Sequence, residues 1–537
     1  MSAQRGWIQA VLLGLLGLLA ALAAAWQVDA WAPPTAQPAR WLGAGVLLLG
    51  FTGWWGTLTR RAQRVAGAPL TDSAVGRRST WMVVHASQTG TASEIARRCA
   101  DLLRGAGRSV DLVAMDDLDA ARLADCRRLV CVVATTGDGE PPTEAMRFAR
   151  VAMAQAMSLG HLEYATLALG DRSYEQFCAF GRAVEAWLQR CGARPLRPAI
   201  EVDAGDPAAL SQWYAWLDEL AGRTAPAHPW QPDFQTWCLS SRSVLNPGSV
   251  GAPIHLLRFA PGPGVTPGWQ PGAIASVRMR HPPARVEAFL QRLGPLPAAW
   301  PAAALELLRA QLPHCQLPSV DGLRSMNFAA LPGHLQRLPT RDYSIASTAA
   351  DGCIELVTRE QRGDDGELGL GSAWLCRDSE VGDAFEVHVR ANPQFGLPGT
   401  DAPLILIGAG TGIAGLRGLL RARIQRGHRR NWLLFGERDP SCDALFDAEL
   451  RAAQEHGMLD RLDRAFSRDP DAPRHVQDLL SAHAPRLRAW VDAGAHLSVC
   501  GSAATMGKAV DLTLRRLIGD ARVDALIDEH RYHRDVY

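Results

Sequence analysis

Short apolar runs alternate with amphipathic stretches over two parts of this chain. Three such runs fall in the first part: Trp81–Ala86, Leu129–Ala134 and Thr166–Leu169. The second part begins at Leu404–Ile407 and keeps the same alternation to the C-terminus. Alternation of strands and helices is typical of a doubly wound sheet of parallel strands. The pattern predicts one α/β domain over 81–221 and a second one over 401–537.

A β-type pattern lies between these two parts. Four runs carry it: Ile254–Phe259, Ala273–Met279, Ile354–Arg359 and Ala384–Val389. A helical, Pro-containing stretch at about 282–338 interrupts them. The pattern predicts a small antiparallel barrel over 234–400 with an insertion. Polar segments containing Gly, Ala and Pro at 61–80 and 222–233 are predicted to be linkers.

Two further apolar runs stand near the N-terminus, Trp7–Trp26 and Trp41–Thr59. Neither contains a charged residue, and each has the length of about 20 residues that a helix needs to cross a bilayer. Arg5 precedes the first run and Arg60 follows the second, so the basic residues lie on the outer flanks. A cleaved signal peptide would explain the first run but not the second. We therefore predict a two-helix membrane anchor over 1–60 in the inner (cytoplasmic) membrane, with both termini and the following domains cytoplasmic.

Composition narrows the possible functions. The apolar content of 47% and the charged content of 21% describe a globular protein. Lys and Arg total 56 against 55 Asp and Glu, so the charge gives no reason to expect a nucleic-acid partner. The 11 cysteines include no Cys-x-x-Cys pair and no Cys/His ligand spacing, which predicts no metal site and a reducing compartment.

A hydroxyl-rich turn follows the run Trp81–Ala86, and a helical pattern follows the turn. Its residues are Ser87, Gln88, Thr89, Gly90 and Thr91. Backbone N–H groups, hydroxyls and the positive end of a helix converge in such a turn and bind anions. The turn lacks the Lys of a Walker A motif, which favours a monophosphate over a nucleoside triphosphate. Taken alone, a polar turn that caps a helix would explain it equally well.

Two later loops follow the next two predicted strands. They contain Thr135, Thr136, Gly137 and Gly139, and Leu169, Gly170, Asp171, Tyr174 and Phe177. Loops at the carboxyl ends of neighbouring parallel strands meet around one crevice. Glycines there let the backbone approach a flat ring, and an aromatic side chain offers a face for stacking.

Together the three loops resemble those that bind FMN in flavodoxins. The resemblance implies a flavodoxin-like doubly wound sheet in which Ser87–Thr91 hold the FMN phosphate. It also implies that Thr135–Gly139 form one wall, that Tyr174 stacks on the isoalloxazine ring, and that Asp203 lies near the ribityl or phosphate end.

A second constellation lies in the β-type part, in the string Arg341-Asp342-Tyr343-Ser344. Strand alternation puts Arg341 and Tyr343 on one face, where a guanidinium can bind phosphate and a ring can stack. An ordinary surface strand would also fit. The string resembles the R-x-Y-S motif of the ferredoxin–NADP reductase family, which implies an FAD-binding barrel. A second pyrophosphate loop would then comprise Gly369, Gly371 and Ser372.

A third constellation follows the run Leu404–Ile407. It is a glycine-rich turn made of Gly408, Gly410, Thr411 and Gly412. Such a turn lets a pyrophosphate approach a helix N-terminus, although a packing turn would look the same. It resembles the nicotinamide turn of the same reductase family, with Gly415 where that family has Pro. Ser467 and Arg468 suit a 2′-phosphate, so NADPH is favoured over NADH, and the resemblance adds Gln477 to this site.

The resemblance also assigns the residues around the reacting rings. Ser344, Cys500 and Asp535 would surround the nicotinamide and the flavin, and Tyr537, the last residue, would cover the FAD ring. Hydride passes directly between the two rings, so no general base is needed. For Cys500 a buried strand thiol is the alternative, and for Tyr537 a disordered tail.

Over 81–537 the chain is thus similar to the diflavin reductases, most closely to the flavoprotein subunit of sulfite reductase. This implies an oxidoreductase that passes electrons from NADPH through FAD and FMN to an external acceptor, a haem protein or a ferric chelate. The predicted hairpin favours an acceptor that is membrane-bound or peripheral. Two alternatives stay open: a ferric-siderophore or free-flavin reductase without a protein partner, and a tethered flavin-binding sensor with little turnover.

Overall fold

The computed structural model describes residues 81–137, 139–172, 174–223, 232–363, 366–470 and 473–537. These residues belong to one compact unit, Ser79–Tyr537. The described part of the chain forms three sheets, one after another along the sequence.

The first sheet is parallel and has the order β2-β1-β3-β4-β5, with β6 pairing β4. Its strands are β1 (Trp81–Ala86), β2 (Val110–Ala114), β3 (Arg128–Ala134), β4 (Glu163–Gly170), β5 (Arg194–Pro195) and β6 (Ile200–Asp203). Its helices are α1 (Thr91–Gly105), α2 (Ala120–Asp125), α3 (Met146–Val151), α4 (Ala179–Arg190) and α5 (Pro207–Leu220). Helices α1 and α5 bury one face of the sheet, and α3 and α4 bury the other. We call residues 81–223 the FMN module, after the cofactor that its sequence predicts.

The second sheet is antiparallel, with the order β10-β9-β12-β7-β8-β11. Its strands are β7 (Gln235–Val244), β8 (Ile254–Pro261), β9 (Ile274–Val277), β10 (Arg341–Ser344), β11 (Ile354–Arg359) and β12 (Ala384–Arg390). The outermost strands of this order, β10 and β11, contact each other, so the sheet curls into a half-barrel. Trp237, Phe259 and Phe385 fill its interior. A short helix, α10 (Leu370–Ala373), follows β11.

The insertion between β9 and β10 is helical, as its sequence predicts. It contains α6 (Pro283–Leu293), α7 (Ala304–Gln311), α8 (Val320–Ser325) and α9 (Leu331–His334). These helices bury a small core of their own, in which Phe289, Leu308 and Leu331 are inaccessible or nearly so.

The third sheet is parallel, with the order β15-β14-β13-β16-β17. Its strands are β13 (Leu404–Ala409), β14 (Asn431–Glu437), β15 (Arg461–Phe466), β16 (His496–Gly501) and β17 (Tyr532–Val536). Its helices are α11 (Ile413–Gln425), α12 (Asp447–Glu455), α13 (Val476–Ala482), α14 (Ala484–Asp492), α15 (Lys508–Ile518) and α16 (Asp520–Asp528). Residues 232–537 contain the second and third sheets. We call them the reductase module, after the reductase family that their motifs resemble.

The predicted α/β multidomain fold, with a parallel first sheet and an antiparallel second one, is confirmed. The membrane prediction is not. Among the described residues, no helix is both long and apolar enough to cross a bilayer. This contradicts the predicted inner-membrane location, which was inferred from run length and flanking charge alone. The expectation of a membrane-bound acceptor depended on that location and is therefore not supported. The two apolar runs themselves lie outside the described residues.

Replacing Leu308 by Ala should lower the free energy of unfolding by about 2–5 kcal/mol, because this side chain is fully buried in the insertion core. Denaturant unfolding followed through tryptophan fluorescence measures the change, since Trp300 lies in the same core. Glu306→Ala, at an exposed position of the same helix, is the control and should change stability by less than about 0.5 kcal/mol. Equal losses in the two variants would contradict an independently packed insertion.

Candidate active site

The three predicted FMN loops meet at one edge of the first sheet. Strands β1, β3 and β4 are parallel neighbours, so the segments that follow them leave from the same edge. The second and third loops are tied together, because Thr135 N donates to Leu169 O over 3.0 Å. Phe180 N donates to the Thr135 hydroxyl over 3.2 Å. Gly139 has a φ of +100°, and a Cβ there would lie 2.9 Å from Gln176 Cβ, so this turn requires glycine.

The first loop wraps around a buried carboxylate that the sequence analysis missed. Ser87 N donates to Glu144 Oε2 over 2.8 Å, and Gly90 N donates to the Ser87 hydroxyl over 2.9 Å. His85 Nδ1 also lies 2.8 Å from Glu144 Oε2. Glu144 stands 57 residues from Ser87, so no local spacing could have indicated this contact. The carboxylate holds the loop in place through these contacts, and helix α1 begins directly after the loop, at Thr91.

An unpartnered hydroxyl in the second loop fits a bound FMN. The Thr136 hydroxyl is buried and has no hydrogen-bond partner among the described residues, which is costly unless a ligand supplies one. Tyr174, the predicted stacking residue, is 48% exposed at the rim of the same crevice. Asp203 Oδ1 accepts from Arg172 N over 2.9 Å, so it shapes the third loop. Its predicted place beside the ribityl chain or phosphate stays a prediction.

The predicted FAD residues also come together. A Cβ at Gly371 would lie 3.2 Å from Tyr343 Oη and 3.5 Å from Arg341 Cγ, so glycine leaves open the space that an adenine dinucleotide needs. The Ser372 hydroxyl accepts from Gln361 N over 2.8 Å and holds the second pyrophosphate loop in place. Gly369 N donates to Gln361 O over 2.9 Å. The residues present therefore fit FAD.

The nicotinamide turn packs tightly on strand β16. A Cβ at Gly412 would collide with Cys500 O, and one at Gly408 would lie 2.7 Å from the same atom. Gly410 has a φ of +60°, where glycine is favoured. Position 415, where the resembling family has Pro, is confined as well, since a Cβ there would lie 3.2 Å from Cys500 Sγ. The turn thus brings the N-terminus of α11 against Cys500.

Three predicted catalytic residues form one buried cluster. The Ser344 hydroxyl donates to Asp535 Oδ2 over 2.6 Å, and the Cys500 thiol donates to the same oxygen over 3.5 Å. Asp535 is 2% exposed and Cys500 is 0% exposed. Burial raises the pKa of Asp535, against the opposing effect of these two hydrogen bonds. Burial and the neighbouring carboxyl raise the pKa of the Cys500 thiol well above its usual value, so it keeps its proton.

The C-terminal residue is anchored at the same place. Tyr537 N donates to Gly501 O over 3.1 Å, and Tyr537 O accepts from Ala503 N over 2.9 Å. Its hydroxyl lies 2.9 Å from the hydroxyl of Thr411 in the nicotinamide turn. The alternative of a disordered tail is therefore wrong, and the ring stays 53% exposed.

The residues predicted to bind the 2′-phosphate stand at the carboxyl edge of the third sheet. Ser467 N donates to Glu437 O over 2.9 Å, and exposed Arg468 follows it. Half-buried Gln477 lies in the first turn of α13. The sequence analysis missed Arg359, whose guanidinium pairs with Glu437 and would lie 3.3 Å from a Cβ at Gly410. Arg359 belongs to the second sheet, so only the tertiary structure brings it to this turn.

These sites define an NADPH-dependent flavoprotein oxidoreductase with one flavin site in each module. The flavodoxin family model matches residues 83–215, and the model of the oxidoreductase NAD-binding domain matches residues 406–511. Three of the similar proteins are each named sulfite reductase [NADPH] flavoprotein alpha-component. That of Salmonella paratyphi A is 30% identical over 90% of this chain and 94% of its own length. Those of Vibrio cholerae serotype O1 and Neisseria meningitidis serogroup C are 29% and 28% identical, over 90% and 88% of this chain and 92% of their own lengths.

The chain belongs to the diflavin reductase family, together with these flavoprotein subunits of sulfite reductase. FMN, FAD and NADPH, as predicted from the loops, are thereby confirmed as its cofactors and electron donor, and the chain is an enzyme. The roles of single residues remain predictions.

In the reaction, the residues of the chain position the reacting groups and shield them from solvent. The bound flavins supply the redox chemistry, since they accept electrons from NADPH and pass them on. Gly408 and Gly412 hold the nicotinamide turn against Cys500, and the protonated thiol faces Asp535 rather than solvent. Tyr537 is anchored beside this cluster at the C-terminus. The hydrogen bonds of the cluster fix the positions of Ser344, Cys500 and Asp535, and direct transfer between rings requires groups that are fixed in this way.

Replacing Cys500 by Ala should slow flavin reduction by NADPH about 10-fold, which corresponds to ~1.4 kcal/mol in the barrier. The thiol contacts Asp535 in the cluster, whereas the predicted FAD contacts lie elsewhere on β10 and α10. Anaerobic stopped-flow absorbance gives the rate, and extraction of the flavins gives their content, which should be unchanged. Cys442→Ala, outside the cluster, is the control. Loss of FAD from the Cys500 variant would instead mean that the thiol is structural.

Replacing Tyr537 by Ala should raise the efficiency with NADH relative to NADPH, by about 10-fold. If the ring covers the flavin as predicted, it has to leave before a nicotinamide can enter, and NADPH can offset that cost through its 2′-phosphate while NADH cannot. Steady-state kinetics with both donors measure the ratio. Tyr537→Phe keeps the ring but loses the bond to Thr411, so it should stay close to the parent enzyme. An unchanged ratio in the Ala variant would exclude the covering role.

Proposed function

We propose that this enzyme delivers electrons from NADPH, through FAD and then FMN, to a haem protein of the sulfite-reductase type. The observation that supports this acceptor is the likeness to flavoprotein alpha-components of sulfite reductase over 90% of the chain. The buried cluster of Ser344, Asp535 and Cys500 supports turnover, because it is the arrangement expected where NADPH meets FAD.

The third FMN loop is the side from which we expect electrons to leave. Arg172, Tyr174 and Glu175 in this loop are exposed, and Tyr174 is the predicted stacking residue. The first loop, in contrast, is covered by the reductase module, since Arg390 Nε donates to Thr89 O over 2.8 Å. An acceptor can therefore reach the FMN crevice past Tyr174 while the two modules are in contact.

The acceptor is tested with the full-length enzyme in an anaerobic cuvette. A sulfite-reductase haem subunit, ferric citrate and free FMN are offered in turn, with NADPH as donor. Reduction of the haem at a rate that saturates with the haem protein would support the proposal. Fast reduction of ferric citrate or free flavin, with none of the haem protein, would replace it by a reductase that works without a protein partner.

Replacing Tyr174 by Ala should slow haem reduction about 5- to 10-fold while leaving reduction of FAD by NADPH unchanged, because the residue lies at the exit side only. Glu219→Ala, at an exposed position near the C-terminal end of α5, is the control and should behave like the parent enzyme. Stopped-flow measurement of the haem and flavin bands separates the two steps. Equal slowing of both steps would contradict an exit past Tyr174.

A further inference from the structure

The first FMN loop lies at the contact between the FMN module and the reductase module. Arg390 Nε, from β12, donates to Thr89 O over 2.8 Å. A Cβ at Gly90 would collide with Ala391 O, so the two backbones touch there. Gln88 Nε2 donates to Arg534 O, on β17, over 2.5 Å. The loop that receives the FMN phosphate is therefore enclosed by residues of the other module.

Two carboxylates of the FMN module lie beside this loop. The Glu144 carboxylate accepts from Ser87 N beneath the loop, and Glu94 lies in the first turn of α1. The loop itself, residues 87–91, has no basic side chain. A phosphate carries close to two negative charges at neutral pH, and like charges nearby weaken its binding. The helix N-terminus and the backbone N–H groups offset only part of this repulsion.

The reductase module supplies a cation at this point, held in a fixed position. The Arg390 side chain is 7% exposed, and it binds Asp342 through Nη1 over 3.0 Å and through Nη2 over 2.7 Å. The Ser276 hydroxyl, on β9, contacts Nη1 as well. A bidentate pair of this kind orients the guanidinium plane. Its Nε donates to the loop, at Thr89 O.

A second side chain on the same face of β12, that of His388, contacts Glu94. His388 stands two residues before Arg390, so both side chains point the same way. His388 Nε2 lies 3.4 Å from Glu94 Oε2, and its Nδ1 lies 3.0 Å from Asp233 O. Strand β12 thus directs an imidazole at the acidic first turn of α1 and a guanidinium at the loop.

We propose that Arg390 completes the FMN phosphate site from the neighbouring module. Its charge, held on the second sheet by Asp342 and Ser276 and offset there only in part, stabilises the phosphate bound in residues 87–91. FMN accordingly binds more tightly when the two modules are in contact, and bound FMN strengthens that contact by the same factor, because the coupling of two equilibria is reciprocal. This inference does not depend on which acceptor the enzyme serves.

The test compares FMN with riboflavin, which has the same ring but no phosphate. Both are titrated into full-length protein that has been depleted of FMN and retains FAD, and flavin fluorescence gives the dissociation constants. Arg390→Gln should weaken FMN binding about 10-fold, within the usual range of coupling, and leave riboflavin binding unchanged. Arg390→Lys keeps the charge and should recover most of the affinity. Equal losses for FMN and riboflavin, or no loss for FMN, would overturn the proposal.

The Asp342→Asn variant tests the same proposal even if the Arg390→Gln variant loses FAD or fails to fold. The Asp342 side chain is 45% exposed, so its replacement perturbs packing less. The carboxylate offsets part of the guanidinium charge, whereas Ser276 and Thr89 O still hold the guanidinium in its absence. FMN binding should therefore become several-fold tighter in this variant, with riboflavin unchanged. Weaker FMN binding in this variant, or an equal effect on both flavins, would refute the electrostatic role.

Hydrogen exchange tests the reciprocal effect in the parent protein. Amides of residues 388–391 should exchange more slowly when FMN is added than when riboflavin is added at the same occupancy. Equal protection by the two flavins would show that the phosphate does not strengthen the contact between the modules.

Discussion

Asp535 is a carboxyl group buried where two sheets meet, and a buried carboxyl group has to be paired. Its partners are the Ser344 hydroxyl at the end of β10 and the Cys500 thiol on β16. The bond from Cys500 forms within the third sheet, where Cys500 and Asp535 are partners on neighbouring strands. The bond from Ser344 comes from the antiparallel sheet, 191 residues away, and forms only when the two sheets pack in one register. The FAD site and the nicotinamide turn are thereby placed side by side. The requirement for glycine at position 412 comes from packing within the third sheet, since the turn after β13 lies on the Cys500 carbonyl of neighbouring β16.

The strand that carries Asp535 also contacts the FMN module. Arg534, the preceding residue, accepts through its carbonyl oxygen from the side chain of Gln88 in the first FMN loop. Gln88 in turn accepts from Thr143 N over 2.9 Å, so it links the first loop to the segment that follows the second. One short strand therefore contributes both to the site where electrons enter and to the site that relays them. A displacement of β17 would disturb both sites at once.

Local patterns predicted most of the fold and the separate cofactor loops. Strand β1 was predicted with the observed bounds, Trp81–Ala86, because its burial and its flanking turn are both local properties. Glu144, Arg359 and Arg390 could not be found in this way. Each acts on a residue 50 or more positions away, Arg390 on Thr89 across 301 residues. Only tertiary packing creates these contacts, within one module for Glu144 and Arg359 and between the two modules for Arg390. The predicted membrane anchor falls on residues 1–60, outside the described part of the chain, and no helix within the described part could span a bilayer.

The first and third FMN loops differ in their surroundings, because the reductase module covers the first and solvent surrounds the third. We infer that the two loops serve different ends of the flavin. The first loop is enclosed and meets buried Arg390, which suits the part of the flavin that must stay bound. The third loop carries exposed Tyr174, which suits the part that must exchange electrons with another molecule. Because phosphate and ring lie at opposite ends of FMN, one module can hold the first end without covering the second. The enzyme can therefore keep its two modules in contact, and the flavin firmly bound, while the ring edge remains open to an acceptor.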